Sequence, residues 1–259
     1  MPETYGLRIR ERRSWKRNFR ILFRFLTADT FNYSLLLLKK KRKYKFDADK
    51  YKGINLGCSS HNPEGWTGIS GGLTIWFLNL PKFLLRLVYP FSSRSKKVAF
   101  EDFYKKVRKT KILHHDLFFG IPFDNGTVPN VFTSHFMEHL TEESARYLLR
   151  EAYRVLQPGG MIHIVVPALE DEVEKMKKAI TALENGDGMP IQEFVSQPYE
   201  EYNDPFSYHR FMYHAEAMRT RLSDTGFSEI NQVLPGKGVF PDLQLLENRG
   251  GLILEAIKK

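Results

Sequence analysis

With 259 residues the chain can bury one sizeable core, as a single domain or as a domain with an appendage. Its one cysteine, Cys58, excludes an intrachain disulfide framework and suits a reducing cytoplasm. The formal charge of +9 is concentrated: residues 1–52 hold sixteen Lys or Arg against five acids, which leaves the remainder slightly acidic.

Residues 1–50 read as a basic arm. Ile21, Leu22, Phe23, Phe25 and Leu26, set among Arg17, Arg20 and Arg24, admit three readings. These are a helical appendage with a solvated basic face, a surface laid on an anionic membrane, and a phosphate-binding arm for nucleic acid. The run at 35–38 is too short for an export core and leads into Lys39 to Lys43, so no secretory leader is expected. The protein is read as cytoplasmic, and the second of these readings would add a peripheral membrane contact through the arm.

The body, residues 51–259, alternates strands and helices. Residues 52–56 predict a first strand running into the tight turn Gly57-Cys58-Ser59-Ser60, and residues 66–70 a second strand ended by Gly71-Gly72; little room is left between them for a crossover helix. Residues 73–109 are a helical insertion, apolar over 73–89 and charged over 98–109. Asn79, Pro81, Lys82 and Arg86 interrupt the apolar stretch and make it a poor membrane span. Its Trp76, Phe77, Phe83, Leu84, Leu87 and Tyr89 are read as core, the alternative being cover for a lipid-linked or glycan acceptor. Residues 111–115 predict a third strand and 116–125 a loop.

The run 130–160 is the most informative. Val131, Phe132 and Thr133 form a short strand that stops at Ser134, His135, Glu138 and His139. Thr141 is placed to cap a helix whose first turn carries Glu142 and Glu143, and Ala145, Leu148, Leu149, Ala152, Val155 and Leu156 recur on one face. Pro158-Gly159-Gly160 stops it, and residues 161–167 read as a strand buried on both sides, completing a right-handed crossover unit. Helices are expected over 171–183 and 214–224, irregular chain over 185–207, and closing strands over 227–234 and 252–257. Ligands gather beyond the carboxyl ends of parallel strands, which marks 134–139 as the place for chemistry.

Glu138-His139-Leu140 followed by Arg154-Val155-Leu156-Gln157-Pro158-Gly159-Gly160 resembles the second half of a class I S-adenosylmethionine-dependent methyltransferase domain of type 11. The resemblance extends over about residues 50–259 and is similar to methyltransferases associated with polysaccharide biosynthesis. It implies a Rossmann-like, mostly parallel seven-stranded sheet with helices on both faces. It also implies S-adenosylmethionine as cofactor, held by Asn55, Gly57, Cys58, Ser59, Ser70, Asp116, Leu117, Ser134 and Glu138, and methyl transfer to a small-molecule, glycan or lipid-linked acceptor. His135, His139 and His209 are the candidate bases, because imidazole titrates near neutrality. Ser59 stands where the family has a second glycine, Ser70 where it has the ribose-binding acid, and Asn130, Ala168 and His214 where aspartates are expected. These departures carry the alternative of a catalytically degenerate binding protein.

His135-Phe136-Met137-Glu138-His139 also satisfies H-x-x-E-H, a zinc-peptidase pattern. In that pattern the ligands share one helix face, whereas here a strand precedes His135 and the helix starts only after Thr141. The sequence therefore predicts no metal, with a zinc hydrolase through His135, Glu138 and His139 as the remote alternative.

Overall fold

The computed structural model describes residues 28–60, 62–91, 95, 98–190, 209–247 and 250–259. Among them β1 (Gly53–Leu56), β2 (Trp66–Ser70), β3 (Lys111–His114), β4 (Val128–Ser134), β5 (Leu156–Val166), β6 (Phe227–Gln232) and β7 (Leu252–Lys258) form one sheet in the order β3-β2-β1-β4-β5-β7-β6. The first five strands run parallel, while β7 is antiparallel to both β5 and β6. All four residues of β1 are buried, as a strand covered on both faces must be. The expected mostly parallel seven-stranded sheet is therefore present.

The crossover from β4 to β5 is α5 (Glu142–Val155), preceded in the chain by α1 (Thr30–Leu38), α2 (Leu73–Leu78), α3 (Lys82–Val88) and α4 (Phe100–Lys109). Thr141 Oγ1 accepts from Ser144 N, and Ala145, Leu148, Leu149, Ala152 and Val155 face the sheet, as the spacing predicts. Arg154 gives this helix a second task. It donates to Ile121 O, Phe123 O and Asn125 Oδ1 while Glu151 accepts from Ile121 N, so the arginine of the R-V-L-x-P-G-G run clamps the loop after β3. Helices α6 (Leu169–Glu184) and α7 (Ala215–Thr225) follow; Arg221 on α7 forks onto Glu142 at 2.8–3.0 Å and ties α7 to the start of α5.

No helix joins β1 to β2, which agrees with the short interval between them. The sheet face left open there is covered from the far end of the chain. Between β6 and β7 an excursion containing α8 (Leu243–Leu246) lays Phe240, Leu243 and Leu246 over Trp66, Phe132, Val165 and Ile253. Phe240 stacks on Trp66, and Asp242 accepts from Trp66 Nε1 at 3.1 Å and from Lys52 Nζ at 2.7 Å. Beneath the excursion His163 of β5 is fully buried, with Nδ1 3.0 Å from Glu255 Oε1 and Nε2 3.1 Å from Glu247 Oε2. Only the first of these contacts has hydrogen-bond alignment.

The described part of the arm packs on the domain at the carboxyl ends of β2 and β3. Asn32 donates to Gly71 O and accepts from His114 Nε2, while Lys39 Nζ lies 3.0 Å from His114 Nδ1. Phe46 reaches the main core. This is the appendage reading for residues 28–50; the apolar and basic residues at 17–26 lie outside the described residues, as do 191–207 of the expected irregular segment. The insertion is broken at Asn79 and Pro81 into α2 and α3. Leu85 and Tyr89 pack with Phe103 in a small satellite core, whereas Phe83 and Leu87 are exposed. No described helix is long and apolar enough to cross a membrane.

Candidate active site

The carboxyl edge of the sheet collects most of the expected residues. Gly57 takes φ +68° at the end of β1, and a Cβ there would collide with the ring of Phe136. Ser59 adopts φ +50°, so the turn keeps a glycine-type backbone with serine in it, at a cost of about 1–2 kcal/mol. Ser70 lies half-buried at the end of β2, and its carbonyl accepts from His115 N. Asp116 Oδ1 accepts from Phe118 N and caps a 3-10 turn over Leu117–Phe119. The Leu117 side chain enters the core, so only its backbone can serve a ligand. Burial pushes the Cys58 thiol up to about 12, against hydrogen bonds to backbone carbonyls, which leaves it a packed and unreactive group.

Two asparagines have local partners. Asn55 is buried and donates to Asn62 Oδ1, while Asn62 donates to Trp66 O and Lys111 O, a polar ladder that closes the β1–β2 connection. Asn130 sits near the amino end of β4, where it donates to Lys52 O, so its departure from aspartate has no bearing on the cofactor edge. His214 caps α7 by accepting from Glu216 N, and Ala168 bridges to Tyr213.

Beyond Ser134 the chain turns sharply through His135, at φ +48°, into a 3-10 turn over Met137–His139. His135 Nδ1 lies 3.3 Å and His139 Nε2 4.0 Å from Glu138 Oε1. His209 joins them from seventy residues away, its ring 5.2 Å from that of His139. The backbone delivers it: Arg210 N and Phe211 N both donate to Glu138 O, Tyr213 OH donates to Met137 O, and Tyr213 O accepts from Leu169 N. One ligand atom from each of Glu138, His139 and His209 falls within 4.8 Å of the others. The donors of the H-x-x-E-H run thus converge by a 3-10 turn and a distant segment, without sharing a helix.

Glu138 is 0 % exposed, and neither carboxylate oxygen receives a hydrogen bond. The nearby His135 Nδ1 is close enough for an ion pair but not aligned as a donor. The other nitrogen, Nε2, lies 3.2 Å from Gly250 O, a carbonyl that can only accept, so Nε2 carries the proton and a neutral His135 would present a bare lone pair to Glu138. A buried carboxylate in such surroundings costs several kcal/mol unless a cation or donor meets it. Beside His135 opens a cleft of about 400 Å³, lined also by Ala168, Asp171, Glu172, Lys175 and Gly250. It lies past the ends of β4 and β5, not over Gly57, where Phe136 fills the space. Neither Phe136 nor Tyr213 was singled out by sequence; the aromatic run Phe211-Met212-Tyr213 after His209 was the available signal.

Residues 90–164 match the family model described as a methyltransferase domain. No curated protein matches the chain. Among solved structures, a SAM-dependent methyltransferase from Thermotoga maritima is 14 % identical, with 94 % of this chain and 97 % of that one covered and a TM-score of 0.42. One from Archaeoglobus fulgidus is 13 % identical, with 93 % and 100 % covered and the same score. Likenesses this distant carry nothing about substrate. The matched segment runs from before α4 through β3, β4 and the α5 crossover into β5, so the likeness to a methyltransferase domain covers the middle of the chain.

Proposed function

We propose that the domain methylates a hydroxyl of a polar, polyhydroxylated acceptor of the glycan or sugar class. The observation that carries this reading is contiguity: Phe136 packs on Gly57 while its neighbours His135, Glu138 and His139 form the polar cluster, so the cofactor turn and the candidate bases adjoin. Asp171, Glu172 and Lys175 on the cleft beside His135 supply charged groups that can bond the hydroxyls of such an acceptor.

The residues present fit the cofactor in backbone and depart from it in side chains. The left-handed turn at Gly57 and Ser59 allows close approach of main-chain amides, Ser70 offers a hydroxyl towards the ribose, and Asp116 an acceptor towards the base. When bound, the sulfonium supplies an electrophilic methyl carbon. The chain then has to hold an acceptor oxygen in line and take its proton, which positioning and an imidazole can do. His209, exposed at the rim, and His139 are the groups placed for the proton.

Calorimetry with S-adenosylhomocysteine tests the reading. Binding is expected, and Ser70→Asp should tighten it about ten- to a hundredfold by restoring a charged acceptor. A second, non-catalytic reading is favoured by Phe136, whose ring lies over Gly57; it expects no heat even at millimolar ligand, and that result would remove the methyl-transfer proposal.

A further inference from the structure

We propose that Glu138, His139 and His209 bind one divalent transition-metal ion of the zinc class at the carboxyl edge of β4. Three observations converge on it. The donor atoms already lie within 4.8 Å of one another. The Glu138 carboxylate is fully buried at their centre with no hydrogen-bond donor on either oxygen, which is what an anionic ligand awaiting a cation looks like. The cluster is also built from both sides: Arg210 N and Phe211 N grip the Glu138 carbonyl, so the segment bearing His209 is fixed to the turn bearing the other two donors.

The chemistry of the donors selects the ion. Two imidazoles and one carboxylate suit zinc and its neighbours, whereas magnesium and calcium call for oxygen donors throughout. Tetrahedral bonds of about 2.0–2.1 Å separate neighbouring ligand atoms by about 3.3–3.4 Å. The 4.0 Å between His139 Nε2 and Glu138 Oε1 is a fraction of an ångström from that spacing, and exposed His209 has room to turn inward. His135 borders the site without a hydrogen bond to it: its Nε2 is anchored on Gly250 O, and its Nδ1 stands 3.3 Å from the same Glu138 Oε1 without donor alignment.

Three protein ligands would leave a coordination position for the acceptor hydroxyl, whose proton would then pass to solvent, because His139 and His209 act as ligands and not as bases when the ion is bound. Ion binding stands on the geometry alone; this use of the ion rests on the methyl-transfer reading.

The test is calorimetric titration of Zn²⁺ into the full-length, chelator-treated protein, with metal content measured after dialysis. One ion per chain is expected. Glu138→Gln and His209→Ala should each abolish the transition, and His214→Ala, outside the cluster, should leave it unchanged. His209 is exposed, so its variant keeps the test valid should Glu138→Gln fail to fold. No stoichiometric binding, or binding that survives His209→Ala, overturns the site. S-adenosylhomocysteine binding in the same samples reports separately: zinc without that ligand's heat removes the methyl-transfer reading and keeps the site, and the reverse removes the site alone.

Discussion

Among the described residues, two buried glutamates, Glu255 and Glu138, stand beside histidines in clusters built in opposite ways. Around His163, Glu255 accepts from His163 Nδ1, Val239 N and Phe240 N, and Glu247 Oε1 accepts from Gly236 N. Aromatic rings of Phe132 and Phe240 close the site. Burial works to raise the Glu255 carboxyl, but His163 and the two amides outweigh it and hold it below the usual carboxylate range. Around Glu138 there is a buried carboxylate without donors, and its histidines lie at the surface. Around His163 the protein gives Glu255 three donors, although His163 Nε2 and Glu247 Oε2 stay unmatched, whereas it gives neither oxygen of Glu138 a donor.

The sharpest way to break this comparison is Glu255→Gln. It leaves His163 beside Glu247 alone and turns an amide NH₂ towards backbone donors, so it should cost about 3–5 kcal/mol, read as a fall in Tm of about 10 °C. The excursion between β6 and β7 should loosen with it, because Val239 and Phe240 lose their acceptor. A loss under about 1 kcal/mol would show that the cluster is not what holds the excursion.

His114, buried on β3, asks whether surroundings rather than residue type decide the role. Burial, then the Lys39 charge, lowers His114 to about 4, so it is neutral while it joins Asn32 and Lys39 of the arm to β3. A depressed folded value means that the unfolded chain takes the proton first. The stability is therefore fully present above about pH 6.5 and is lost as pH falls towards 4. Between pH 7 and 4.5 the wild type should lose about 2–3 kcal/mol more than His114→Gln. His115, also lowered by burial, shifts both proteins alike and cancels in the difference. Equal losses in unfolding experiments at the two pH values would remove His114 as the arm's pH-dependent tether.

Glu138→Gln has the sign opposite to Glu255→Gln. Without metal, replacing a donor-poor buried carboxylate by an amide should stabilise the fold by about 1–2 kcal/mol, while Zn²⁺ should raise the Tm of the wild type and not of the variant. Destabilisation by the substitution in chelator would mean that Glu138 has partners of its own and that the two clusters are alike.

How much of this was legible follows from the range of each signal. Helix α5 is readable from Thr141 and the apolar recurrence from Ala145 to Val155, all local to one segment, but it ends at Val155, and Leu156 with Pro158-Gly159-Gly160 belong to β5. Trp66–Ser70 was bounded by its glycines and matches β2. The excursion over β1 was not legible, because Phe240, Leu243 and Leu246 follow no period and their anchor joins His163 to a residue 92 positions away. At the candidate site, H-x-x-E-H reads from sequence as a helix pattern, which hides the grouping of His135, Glu138, His139 and His209. A 3-10 turn brings His135 beside Glu138, and backbone hydrogen bonds from 210 and 211 bring His209.

Asn130 shows why strand register matters to such judgements and gives the smallest expected effect. It and Ser134 belong to the same strand, but Ser134 pairs with Val165 at the ligand edge whereas Asn130 pairs with Met161 and hands its amide to Lys52 O at the opposite end. A departure from a family pattern carries functional weight only where the strand ends on the ligand. Asn130→Ala should therefore cost about 1 kcal/mol for one lost hydrogen bond and leave both Zn²⁺ and S-adenosylhomocysteine affinities within about twofold of wild type. A larger change in either affinity, measured by the same calorimetry, would mean that the amino end of β4 communicates with the cluster and that the division of the sheet into a structural end and a chemical end is too simple.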